Sequence, residues 1–196
     1  MYMNNLNKTP IQKRSKKTKQ LIIETAFRMF LKNGYKKTNT ILIAKEAKVS
    51  VGVIYLYFKD KKELLDLWLN ELLENCDTYF YNQFKLKEYG VELNYIISNI
   101  IEKLYDTFLK SPLVYEKGDE YLENKLHEFF IESRLSFMKA CFDNEIFVKN
   151  PSETSKIILN LIFSYYKDIH ENDSKINFDI LKNKYISSIV SLLTNN

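Results

Sequence analysis

Turn-forming residues set the strongest limit on this chain. Four glycines and three prolines are spread over its 196 residues, too few for the many tight turns of an all-β fold. An all-α protein is therefore expected, long enough to bury a sizeable core as one domain of ordinary size or as a small domain joined to a larger one. There is no run of eighteen apolar residues and no apolar core in Met1 to Lys19. Neither a membrane span nor a secretory signal is indicated, and the chain is read as soluble and cytoplasmic.

Charge is distributed unevenly. Residues 1–62 hold fifteen Lys and Arg against Glu24, Glu46 and Asp60, a net of about +12, which leaves fourteen bases against twenty-two acids in residues 63–196, about −8. The asymmetry points to a nucleic-acid-binding front end and a neutral-to-acidic remainder. A solvated basic tail accounts for Lys8 to Lys19 but not for the bases after Arg28. Cys76, Cys141, His127 and His170 form no metal-ligand spacing, so no metal or cofactor is expected. Both cysteines are expected to pack as small apolar residues in a reducing compartment.

Hydrophobic periodicity divides the chain into about nine helices. After a polar arm ending near Arg14, Ile22, Ile23, Ala26, Phe27 and Phe30 recur at helical spacing until Gly34 supplies a stop, giving a first helix over about 15–33. A helix of about two turns follows, with Thr38 or Asn39 as N-cap and Ile43, Ala44 and Ala47 inward. The next stretch, VSVGVIYLYF at 49–58, alternates as a strand would. Ser50 is nevertheless a competent N-cap, and as a helix 51–57 places Ile54 and Phe58 on one face. Asp60 and Glu63 form a capping box for a long fourth helix through Leu64, Trp68 and Leu72 into the eighties. Further helices are carried by Leu93 to Phe108, ended by Ser111-Pro112, by Tyr121 to Phe142, by a start at Asn150, Pro151 and Glu153, and by a stripe from about Asn177.

Three short helices in the first sixty residues, two of them joined by a four-residue turn at Lys48 to Val51, form the pattern of a helix-turn-helix unit, whose second helix lies in the DNA major groove. Residues 34–65, GYKKTNTILIAKEAKVSVGVIYLYFKDKKELL, resemble the DNA-binding segment of the TetR family of bacterial transcription regulators. The shared frame is Gly34-Tyr35, Thr38, Ile43-Ala44, Ala47, Val49-Ser50, Gly52, Ile54-Tyr55, Tyr57-Phe58, Lys61 and Leu64. Lys61 and Lys62 stand in the first turn of a helix, where the macrodipole disfavours cations by about 0.3–1 kcal/mol each. An anionic neighbour, such as a DNA phosphate, is expected to offset that cost.

Tyr55 and Tyr57 offer hydroxyls to backbone oxygens, and Val51, Val53 and Leu56 form the reading face. That face is wholly apolar where the family more often carries polar or basic residues, so thymine methyls and DNA shape are its expected targets. Lys48 replaces the family's usual glycine, which calls for a left-handed backbone or an altered turn. The expected DNA-contacting set is Thr38, Asn39, Thr40, Lys48, Ser50, Val51, Val53, Tyr55, Leu56, Tyr57 and Lys61. Lys13, Arg14, Lys16 and Lys17 form either an arm reaching toward the minor groove or a solvated tail.

The resemblance implies a DNA-binding domain over 1–62 and a helical domain over 63–196 that dimerises through its last two helices and encloses a pocket for an unidentified small-molecule effector. The helices starting at Pro151 and near Asn177 are apolar over more than one stripe, as packing on two sides requires. Tyr105, Phe108, Phe129, Phe130 and Phe137 are the candidate pocket residues, although aromatics at helical spacing are more often core. The implied function is a homodimeric repressor released from a palindromic double-stranded operator when a ligand shifts the fourth helix. The competing reading is a ligand-independent architectural or cell-cycle factor on the same fold. An enzyme lacks support, because the sequence offers no nucleophile–base pair, no carboxylate–histidine cluster and no phosphate-cradling glycine loop.

Overall fold

The computed structural model describes residues 10–171 and 178–194. Lys8, Asn177 and the side chains of Lys13 and His170 lie outside the described residues. Eight α-helices and no strand occur among the described residues: α1 (Pro10–Asn33), α2 (Thr40–Glu46), α3 (Val51–Tyr57), α4 (Lys61–Lys85), α5 (Leu93–Leu104), α6 (Glu120–Asp143), α7 (Pro151–Glu171) and α8 (Phe178–Thr194). Short 3-10 turns cover Leu86–Tyr89 and Pro112–Tyr115, and a π-helical turn, Tyr105–Leu109, continues α5. The strand-like stretch at 49–58 is helical over Val51–Tyr57.

The first helix begins at Pro10 rather than near residue 15. Proline is well placed in a first turn, where its missing N–H costs nothing, so Arg14, Lys16 and Lys17 are helical residues and not part of a loose tail. The internal caps follow the side-chain chemistry. Asn39 Oδ1 accepts from Leu42 N at 2.9 Å and Ser50 Oγ from Val53 N at 3.3 Å. Asp60 Oδ1 accepts from Lys62 N and Glu63 N, while Glu63 reaches back to Lys59 N at 2.7 Å, one residue earlier than a standard capping box. Asn150 departs from its expected role. Its φ is +48°, outside the extended conformation of an N-cap side chain, and it serves α7 through its carbonyl, which accepts from Thr154 N.

The chain forms two compact units, and the boundary falls inside α4. The first comprises the residues up to Leu69 together with Ser111–Asp119; the second comprises Asn70–Lys110 and Glu120 onward. In the first, Ile22, Ala26, Phe30, Ile43, Ala44, Ile54, Phe58, Leu64, Leu65 and Trp68 are buried. Segment 111–119 is seated on the end of α1. Ser111 Oγ donates to Leu31 O at 3.0 Å, and the Glu116 carboxylate accepts from Tyr35 N and Lys36 N, each at 3.0 Å. Gly34 must be glycine on two counts: its φ is +84°, and a Cβ there would lie 2.1 Å from Glu116 Oε1.

The second unit buries Phe80 and Phe84 of α4, Ile96, Ile97, Ile100 and Ile101 of α5, Leu122, Phe129 and Phe137 of α6, Ile158, Ile162 and Tyr166 of α7, and Ile186, Ile189 and Leu193 of α8. Tyr166 donates its hydroxyl to Ile101 O at 2.5 Å. Cys76 and Cys141 are free and buried, as expected. Burial pushes their thiols up to about 11 and about 12, with Asp77 adding to the rise at Cys76.

Two measurements check this architecture. Gly34→Ala, which adds left-handed strain and displaces Glu116 from its two N–H donors, should cost about 2–4 kcal/mol in urea unfolding. Gly90→Ala, at φ +78° with nothing within 4 Å of its Cβ, should cost only about 1 kcal/mol. Because the buried thiols stay protonated, an aromatic disulfide reagent at neutral pH should label neither cysteine of the folded protein and both after denaturation.

Candidate functional site

The turn between α2 and α3 is closed by backbone bonds from Lys48 N to Lys45 O at 3.2 Å and from Val49 N to Ala44 O at 3.0 Å. Lys48 takes the left-handed conformation, φ +56°, which costs a lysine about 1–2 kcal/mol relative to a glycine. The turn keeps its shape and gains an exposed cation. Beyond it, α3 is fastened to the unit by Ile54, fully buried, and by Phe58 at its C-terminal edge.

The opposite face of α3 is open. Leu56 is 79% exposed and Tyr55 57%, with Val51, Val53 and Tyr57 half-buried beside them. Tyr55 and Thr40 hydroxyls lie 3.2 Å apart, and those of Tyr57 and Ser15 3.0 Å. The two tyrosines are thus held by α2 and α1 while their rings stay at the surface. Sequence reasoning missed Ile41 and Leu42, which are exposed at the start of α2 and enlarge the apolar surface. The signal was available: with Ile43 and Ala44 inward, the preceding pair must face away.

Gly52 carries information of its own. It is exposed at the second position of α3, and a Cβ there would meet nothing closer than Ser50 Oγ at 3.8 Å. Nothing inside the protein requires a glycine at this position, although it weakens the helix by about 0.5–1 kcal/mol relative to alanine.

Two residues expected on DNA are turned inward instead. Thr38 is fully buried and donates its hydroxyl to Gly34 O at 2.7 Å. Lys61 Nζ donates to Tyr35 O at 3.0 Å and Thr38 O at 3.1 Å and stands 3.8 Å from the centroid of the Tyr35 ring. Burial lowers the Lys61 pKa, opposed by the carboxylates of Asp119 and Glu116. Tyr35 is raised well above the ordinary tyrosine range, first by burial and then by Asp119, Asp60 and Asp66. The unfavourable first-turn cation therefore does have electronegative neighbours, and they belong to the protein: the ammonium leans off the helix end onto two carbonyls. Asn39 and Ser50 are exposed and cap their helices.

The second unit contains a narrow cavity with about 40 Å³ of free volume, lined mainly by Phe80, Phe108, Phe129, Phe130, Phe137, Ile158, Ile162 and Phe163, with Ser133, Arg134 and Ser155. Four of the five expected pocket residues, Phe108, Phe129, Phe130 and Phe137, line it. Tyr105 does not; it stacks on Tyr166, centroids 4.7 Å apart and planes within 10°. The aromatic walls meet edge to face, as at Phe130 and Phe163, 4.6 Å apart, the arrangement ring quadrupoles favour.

Residues 22–67 match the family described as bacterial regulatory proteins, tetR family. The HTH-type transcriptional regulator QacR of Staphylococcus aureus is 27% identical over 172 residues, covering 79% of this chain and 87% of that protein. YuxN, an HTH-type transcriptional regulator of Bacillus subtilis, is 28% identical over 197 residues, covering 82% and 67%. Among solved structures, the transcriptional regulator FadR from Bacillus subtilis in complex with stearoyl-CoA shares the fold, with a TM-score of 0.64 at 20% identity over 90% of this chain and 98% of that one. With its helix-turn-helix exposed on one face and anchored on the other, and with these likenesses, the chain belongs to the TetR family of DNA-binding bacterial transcriptional regulators.

Proposed function

We propose that this protein is a homodimeric repressor that holds a palindromic operator with two copies of α3 and releases it when a small molecule enters the second unit. The observation that carries the reading is the α3 face itself: five surface positions, Val51, Val53, Tyr55, Leu56 and Tyr57, project from a helix held by Ile54 and Phe58. Tyr55, Tyr57, Thr40, Lys48, Asn39 and Ser50 set register on phosphates, and Val51, Val53 and Leu56 read thymine methyls and groove shape. The close approach of the DNA backbone explains Gly52. Two recognition helices about 34–36 Å apart then call for half-sites one duplex turn apart.

Dimerisation is assigned to α7 and α8, where Ile157 and Ile180 stay exposed in the single chain. The effector reading is supported by the aromatic cavity and by a shared fold that, in FadR, is found with stearoyl-CoA. Coupling has a covalent route. Phe108 and Leu109 line the cavity, and Ser111, two residues on, holds the end of α1 through Leu31 O. A ligand that favours one position of the π-helical turn also acts on segment 111–119, in parallel with α4. The small free volume of the cavity favours the second reading, a factor without effector, and ligand-dependent operator affinity discriminates the two.

Selection from a random duplex library should enrich a palindrome, and sequence-blind binding would refute the regulator reading. Gly52→Ala should stabilise the folded protein by about 0.5–1 kcal/mol in urea while weakening operator binding in fluorescence anisotropy. Leu56→Ala should remove about 1 kcal/mol of preference at one base pair per half-site and leave the salt dependence of binding unchanged.

A further inference from the structure

A second apolar cavity in the same unit, with about 50 Å³ of free volume, shares a wall with the first: Phe80, Leu104, Phe108 and Phe129 line both. Either space alone holds no more than a few waters. The partition is thin, with the Phe108 and Phe129 ring centroids 5.1 Å apart, so displacing either ring would join the two into one elongated channel. The charge along this channel has a single sign. Among the described residues, no aspartate or glutamate lines either cavity; the charged residues are Arg134 in the first and Lys103 in the second.

Arg134 is the more constrained of the two. Its Nε is buried with no hydrogen-bond partner, and the guanidinium has no ion-pair partner among the described residues. A guanidinium stays protonated in proteins; Arg134 is half-buried, so Nε is the atom withdrawn from water without an acceptor, and it carries a cost until an acceptor meets it. The two serines of the first cavity are engaged locally, Ser133 Oγ donating to Phe129 O and Ser155 Oγ to Ser152 O, each at 2.8 Å. We infer that the joined cavity binds an amphipathic anion, its carboxylate or phosphate head on the fork of Arg134 and its apolar body along the phenylalanine wall. Planar carboxylates and phosphates fit that fork bidentately, and a cationic amphipath is disfavoured by the sign of the lining. The inference rests on reading this cavity as the effector site and adds the chemistry of what enters it.

The test is calorimetric titration of the full chain, without DNA, using four probes that share one alkyl chain, each below its micellar concentration: laurate, dodecyl phosphate, 1-dodecanol and dodecyltrimethylammonium. At least one anion should bind about tenfold or more tighter than the alcohol, the difference that a charge-assisted hydrogen bond supplies, and the ammonium should bind most weakly. The tighter of the two anions identifies the head group. Arg134→Gln should remove that tenfold from the anions and leave 1-dodecanol unchanged, and Arg134→Lys should restore part of it. The inference is overturned if neither anion binds, if the ammonium binds as well as the anions, if Arg134→Gln weakens anion and alcohol alike, or if the loss follows Lys103→Gln and not Arg134→Gln. An anion that binds through Arg134 without altering operator affinity would uphold this inference and refute the effector reading; operator release by a ligand indifferent to Arg134 would do the reverse.

Discussion

The loop after α1 is held from both sides by charge, and the recognition unit depends on it. Glu116 takes the N–H groups of Tyr35 and Lys36, Lys61 gives hydrogen bonds to the carbonyls of Tyr35 and Thr38, and the Thr38 hydroxyl takes up Gly34 O. Four backbone groups that would otherwise stand open, and a fifth, Tyr35 O, that also accepts from Thr38 N, are bonded by three side chains, two of them ionised. Unpaired and buried, such groups would each cost about 1–3 kcal/mol. Because Asn39 caps α2 immediately after this loop, the direction in which α2, and with it α3, leaves α1 is set here. The close fit has a geometric cost, which is the strict requirement for glycine at position 34.

Within the unit so fixed, α3 is short and strained at its entry. Two turns of β-branched and aromatic residues would not persist as an isolated helix. It stands because Ser50 caps it and Ile54 and Phe58 are buried. That leaves the outer residues free of any packing duty, so their chemistry reflects what they meet outside. Here they are apolar, and Ile41 and Leu42 extend the same character onto α2. Methyl contacts and groove shape discriminate less per base pair than bidentate hydrogen bonds do, so the proposed reading assigns more of the affinity to phosphate contacts and to the pairing of two half-sites.

The chain passes between its two units three times, inside α4 and at either end of segment 111–119. The segment is short, begins two residues after cavity-lining Leu109, and ends in the carboxylate-bearing turn that holds the α1 loop. A π-helical turn at Tyr105–Leu109 separates α5 from it, and such turns commonly mark points where a helix yields. The same few residues thus serve as cavity wall, chain crossing and anchor of the recognition unit.

Much of this was legible in the sequence because it depends on local chemistry: the scarcity of turn formers gave the all-helical class, and the caps at Ser50 and Asp60, the choice of Thr38 or Asn39 for α2 and the inward faces of α1 to α4 follow from spacing, while the left-handed backbone at Lys48, one of two alternatives, and the pocket with four of its five aromatics came from the family resemblance. Residues whose partners are distant were misplaced. Lys61 and Thr38 were read as surface groups because position on a helix says which way a side chain starts and not what it reaches. Glu116 and Arg134 carry no signal in the sequence, since an acid in a loop and a base on a helix look like ordinary solvated charges. Which segments are helical and which of their faces are apolar can be read from the residues alone, because hydrogen bonding along a helix and its periodicity are local. Which charges are enclosed, which loop closes on which, and where the aromatic faces leave space emerge only on folding. Those are matters of contact between residues as much as 81 positions apart, and local propensity carries no information about them.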